Sequence, residues 1–195
     1  MITDMKKRHF LGALATAGAL PALHAAPANK RGPVLLTVSG AIAKANRKPF
    51  DPQLDQMMHK HKVTFDKAWA FDFAALAALP AQTIRPTLEY DAKVHTLQGP
   101  LLTEVVKAAG AALQESGKLV LRAVDGYAAV VPVAQARAQR FIVATHLDGE
   151  ALALGGLGPL WAVYDADRIP EMASKPLAER FGNCPWGLYH IEVQA

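Results

Sequence analysis

The chain reads as an α+β domain built from mixed β-sheets and a few helices. Short runs rich in β-branched and apolar residues recur along it, each bounded by Gly, Pro or Asp-Gly punctuation. Only two or three segments carry apolar residues at helical spacing. Strands and helices do not alternate regularly, which argues against a doubly wound parallel sheet.

Residues 1–25 have the three parts of an export signal. Lys6, Lys7 and Arg8 form a positive start, residues 10–20 are apolar, and small residues near Ala25 and Ala26 suit cleavage. The apolar stretch falls far short of the roughly 20 residues that span a bilayer. A cleaved signal, a periplasmic protein and no remaining membrane span are therefore expected. Lys7-Arg8-His9-Phe10-Leu11 also resembles a twin-arginine signal with Lys in the first place, so the Sec and twin-arginine routes both stay open. Residues 26–33 read as a flexible linker, and 34–195 as one domain.

Residues 34–40 predict the first strand, ended by Gly40. The polar stretch 44–62 suits a loop with a short helix. Residues 71–79 have helical composition and stop at Pro80. Residues 83–88 and 93–97 read as short strands around a turn at Tyr90-Asp91. In 100–113, Leu101, Leu102, Val105, Val106 and Ala109 recur at helical spacing. Residues 118–123 predict a strand, then a turn at Asp125-Gly126-Tyr127 and a second strand through Val131. One or two helical turns fit 132–139. The apolar run 141–145 reads as a central strand, Asp148-Gly149 as a hairpin turn, and 161–164 and 188–193 as the last strands.

Composition narrows the function. The signal holds two of the four net positive charges, and no Lys/Arg block stands out in the remainder, so nucleic acid is a poor partner. Cys184 is the one cysteine, which excludes an internal disulfide and a Cys-based zinc site. It reads as a buried apolar filler. His59 and His61 alternate with lysines that repel a cation, so a solvated loop is expected there. His146 and His190 have no partner legible in the sequence. There is no Gly-x-Ser-x-Gly elbow, zinc-protease helix or phosphate loop.

Several segments, in order, resemble one family. They are 36–40; Phe73 to Pro80, ending in Leu-Pro; Gly99-Pro100-Leu101-Leu102; Asp125-Gly126-Tyr127 with Pro132 after it; Gly158-Pro159-Leu160; and Trp186-Gly187-Leu188-Tyr189-His190-Ile191-Glu192. Together they cover most of 34–195 and are similar to the sulfite-oxidase-like, molybdopterin-binding domain in its short periplasmic form. The resemblance implies that fold and a pterin site. In catalytic members a cysteine thiolate after the first helix holds molybdenum. The matching position here is about Thr87, whose hydroxyl ionises too weakly to replace a soft thiolate. No metal is therefore expected, and a reduced pterin is expected in preference to molybdopterin.

For the pterin, the resemblance suggests a wall from Arg85, Thr87 and Tyr90. Tyr127 would supply a ring or hydrogen bond, Trp161 and Trp186 stacking faces, Asn183 a loop contact, and His95 a neutral imidazole. Each has a plainer alternative as a solvated charge, turn packing or core. The place before Gly158 that is often basic in the family holds Leu157, which argues against a phosphate site. Some short periplasmic members bind a reduced pterin without metal and regulate a membrane-bound cyclic-di-GMP enzyme through its periplasmic domain. That is the expected function. A molybdopterin-dependent oxidoreductase with an unusual ligand, and a structural module with an empty pocket, stay open beside it.

Overall fold

The computed structural model describes residues 32–195. The expected signal and all but the last two residues of the expected linker lie outside the described residues. In chain order the strands are β1 (Val34–Gly40), β2 (Ala68–Asp72), β3 (Ala81–Ile84), β4 (Leu97–Pro100), β5 (Lys118–Ala123) and β6 (Ala128–Pro132). They continue with β7 (Ile142–Ala144), β8 (His146–Leu147), β9 (Glu150–Ala151), β10 (Trp161–Val163) and β11 (Leu188–Gln194). Among the described residues five short helices punctuate them: α1 (Gln56–Lys60), α2 (Phe73–Ala77), α3 (Leu102–Ala108), α4 (Val133–Ala138) and α5 (Pro170–Ala173). The α+β class is as expected.

Leu36 and Val38 of β1 turn to the main core, while Thr37 and Ser39 on its other face are buried too. A strand covered on both faces belongs inside a sheet. Accordingly β1 pairs in parallel with β11 and antiparallel with β2, within the order β2-β1-β11-β5-β6. A second sheet runs β3-β4-β8-β9, and β7 pairs with β10. One continuous apolar core joins β1, β5, β11, α3 and the β7–β10 pair. The polar face of the first sheet is capped separately by Met58, Val63, Phe50 and Phe65 from the segment after β1.

Under that cap lies a buried polar pair. His190 is fully buried and shares a 2.9 Å hydrogen bond with Ser39 Oγ. The Arg122 guanidinium, which can only donate, meets His190 Nδ1 at 3.3 Å. The ring proton is therefore on Nε2, and Ser39 Oγ accepts it. His61, expected in a solvated loop, instead bonds the Tyr189 hydroxyl at 2.9 Å, and His59 stacks on Phe50. Of the two histidines without a legible partner, His190 is thus met by Ser39 from the paired strand β1, and His146 shares a 2.8 Å hydrogen bond with its neighbour Thr145.

Four elements differ from expectation for local reasons. Phe71 belongs to β2, not to a helix; Asp72 then caps α2, its Oδ1 accepting the Ala75 N–H at 2.8 Å. The helix expected through residue 113 ends at Ala108. Gly110 takes a left-handed φ of 88°, and the Ala111 N–H returns to the Val106 carbonyl at 3.1 Å. Between β3 and β4, Pro86 has no N–H for a ladder, so the expected strands 83–88 and 93–97 are displaced outward: β3 stops at Ile84, β4 starts only at Leu97, and the Thr87–Val94 bridge alone continues the pairing. The run 141–145 is fully buried as expected, but it forms a two-stranded pair with β10. At β8–β9, Asp148 and Gly149 both have positive φ, as a two-residue hairpin turn needs. Among the described residues no helix is long and apolar enough to cross a membrane.

Candidate functional site

A cleft of about 350 Å³ opens where three segments converge. The tip after Leu88 brings Glu89 and Tyr90, the β5–β6 turn brings Asp125 and Tyr127, and the loop before β11 brings Phe181, Cys184 and Trp186. Tyr90, Tyr127 and Trp186 are 56%, 47% and 36% exposed, which is unusual for large rings in a packed domain. Phe181 and Cys184 are buried at its base.

Each segment is held by bonds that the local sequence explains. The Asp125 carboxylate accepts the Tyr127 N–H at 2.9 Å, closing an Asx turn at Gly126. The Tyr127 O–H donates to the Gly182 carbonyl, tying that turn to the loop before β11. Trp161 is buried behind the cleft, its Nε1–H donating to the Cys184 carbonyl at 2.9 Å. The tip after Leu88 is fastened twice. The Thr87 N–H donates to Asp167 Oδ2 at 2.6 Å, and the His95 ring bonds Asp148 at 2.6 Å and Asp91 at 3.1 Å. Those bonds, to Asp148 first and Asp91 second, raise the His95 pKa.

The cleft's electrostatics are acidic. It is lined by two carboxylates, Glu89 and Asp125, and among the described residues no Lys, Arg or His lines it. The Tyr90 phenol lies beside the Glu89 carboxylate and the Trp186 N–H; burial, with Glu89 next, pushes its pKa up to about 12. Burial likewise holds Cys184 as the neutral thiol.

Of the residues expected at a pterin site, Tyr90, Tyr127 and Trp186 come together here. Trp161 stands behind the wall in the core. Asn183 is exposed between two lining residues, Gly182 and Cys184, without lining the cleft itself. Arg85 is exposed, its backbone N–H on Asp165 at 3.3 Å. Thr87 and His95 serve as fasteners of the tip. Glu89 and Phe181 were not expected at the site, and Asp125 was expected only as part of the Asp-Gly-Tyr turn; Glu89 had no signal beyond standing next to Tyr90. Cys184, expected as filler, is buried and also forms part of the cleft wall.

Molybdenum does not fit the residues present. The position that the sequence resemblance matches to a molybdenum-ligating cysteine is about Thr87, a hydroxyl, and Cys184 is a buried neutral thiol. Among the described residues no group of three His, Cys, Asp or Glu side chains could hold a metal. A flat, donor-rich heterocycle does fit: three accessible rings offer faces, and two carboxylates offer acceptors. A larger cleft of about 480 Å³ beside β1 lacks that equipment, since its Arg47 is already engaged by Thr37 and Asp55.

No family model matches the chain, and no curated protein matches it. Among solved structures it is similar to the sulfane dehydrogenase SoxCD from Paracoccus pantotrophus. Identity is 14% and the TM-score 0.50, covering 82% of this chain and 37% of that one. The chain thus spans little more than a third of that protein, and the likeness shows a shared fold: mixed sheets with few helices, as expected from the sequence.

Proposed function

We propose that the protein is a non-catalytic, periplasmic pterin-binding protein whose ligand lies in the Tyr90–Tyr127–Trp186 cleft. The observation that carries this reading is the convergence of three exposed rings around a cleft with two carboxylates and no cation. Aromatic faces stack on a flat heterocycle, and a few placed polar groups fix its orientation. The lack of a molybdenum ligand at Thr87 and the neutral thiol of Cys184 favour a metal-free pterin. The pterin would hold the tip after Leu88, the β5–β6 turn and the loop before β11 together, and so favour one arrangement of the surface they form.

The regulatory extension rests on the sequence resemblance: the liganded surface would dock on the periplasmic domain of a membrane-bound cyclic-di-GMP enzyme. The test is anaerobic purification from the periplasm, acid extraction, pterin fluorescence and molybdenum mass spectrometry on one sample. Pterin without molybdenum is expected. Stoichiometric molybdenum would overturn the reading and return the chain to the oxidoreductases.

A further inference from the structure

The three-ring cleft has an unequal polar lining, and that inequality names a ligand feature. Glu89 stands on the tip after Leu88 and lines the cleft together with Tyr90, Cys184 and Trp186. A carboxylate offers about four acceptor sites on two oxygens, and the neighbouring phenol has one proton to give, so most of them stay open. Asp125 is differently placed, because its Oδ1 already accepts the Tyr127 N–H and shapes the turn. No cation lines the cleft among the described residues, so the Glu89 charge has no ion-pair partner there. A ligand that brings two parallel N–H donors would satisfy it in the bidentate fashion that makes carboxylate recognition strong and directional.

We propose that Glu89 is the specificity-determining residue of the cleft, accepting hydrogen bonds from the adjacent ring N–H and exocyclic amino group of a 2-amino-4-oxopteridine. This rests on the reading that the cleft takes a pterin, and it goes further by naming the edge that is read. The 2-amino group and its neighbouring ring N–H are the two donors on one side of that ring. A 2,4-dioxopteridine presents a carbonyl where the amino group was, which turns one attraction into an acceptor facing an acceptor. Shape and stacking are the same for both, so the difference isolates the polar edge. Sites that hydrogen-bond a ligand group discriminate sharply against an analogue that cannot donate.

The experiment titrates the full chain with pterin and with lumazine, its 2-oxo analogue, following fluorescence, for the wild type, Glu89→Gln and Asp125→Asn. The wild type is expected to prefer pterin by about tenfold or more. Glu89→Gln should lose most of that preference, by weakening pterin and by relieving the clash with the lumazine carbonyl, so that lumazine affinity is kept or raised. Retained lumazine binding doubles as the check that the variant is folded. Asp125→Asn, which loosens the turn that carries Tyr127, should weaken both ligands alike and so leave their ratio in place. Equal binding of the two ligands by the wild type, or an undiminished preference in Glu89→Gln, overturns the edge assignment while the pterin cleft stands. Loss of the preference in Asp125→Asn alone moves the role to Asp125 and overturns it too. If the wild type binds neither ligand, the cleft reading itself fails and this inference falls with it.

Discussion

Two histidines show how one residue type is pushed in opposite directions by its neighbours. His95 is bonded at both ring nitrogens by carboxylates, Asp148 and then Asp91, so its folded pKa is raised. Its stabilising contribution is full below about pH 6.5, the unfolded value, and is lost as pH rises through the raised one. His190 is the reverse: burial, with Arg122 next, lowers it to about 3. Its neutral form costs nothing above about pH 6.5, but stability is lost as pH falls from there, because only the unfolded chain gains the proton. A shift of that size corresponds to a few kcal/mol, on the order of 5. Urea midpoints against pH should therefore show His190→Gln flattening the acid limb and His95→Gln flattening the limb above about pH 6.5. An unchanged acid limb in His190→Gln would contradict the buried neutral assignment. Neither effect was legible in sequence, since His190 meets Ser39 across 151 positions and His95 meets Asp148 across 53.

Backbone approach matters more than side chains at one junction between elements. A Cβ built on Gly99 of β4 would lie 1.9 Å from the Val143 carbonyl oxygen of β7, a backbone atom that cannot swing away. Gly99→Ala should thus separate β4 from β7 and cost about 2–4 kcal/mol, read as a lowered urea midpoint. A neutral effect would mean that the two strands sit farther apart. Gly99 was singled out in sequence as part of a motif opening a helix, and the structure supplies its physical reason. Strands 34–40 and 118–123 were legible to the residue, because their apolar runs end at Gly or a turn. The strand 68–72 was not legible, because Trp69 and Phe71 run directly into the alanine-rich helix and only the Asp72 cap separates them. The helix after Leu101 was legible in type but not in length, since Gly110 ends it while apolar residues continue to Leu113.

Across the molecule, the distribution of charge separates ligands more sharply than the fold does. The fold shared with a sulfane dehydrogenase leaves the chemistry open. An acidic cleft disfavours ligands with a phosphate, because a like charge in a partly desolvated site is repelled. Neopterin should accordingly bind at least about tenfold more tightly than its phosphate ester in parallel titrations at low salt. Equal binding would mean that a cation outside the lining reaches the tail. Three of the eight residues expected at the site from sequence line the cleft, all of them aromatic. The five that do not line it are placed by tertiary pairing: Thr87 by Asp167, His95 by Asp148, Arg85 by Asp165, Trp161 by the core and Asn183 by the turn of its loop. The measurement that bears most directly on the whole account is titration of the chain with a reduced pterin, read by tryptophan fluorescence and repeated for Tyr127→Ala/Trp186→Ala. The account expects saturable one-to-one binding in the wild type and its loss in a double variant that keeps its circular dichroism. Absence of saturation in the wild type, or binding that survives in the double variant, would contradict it.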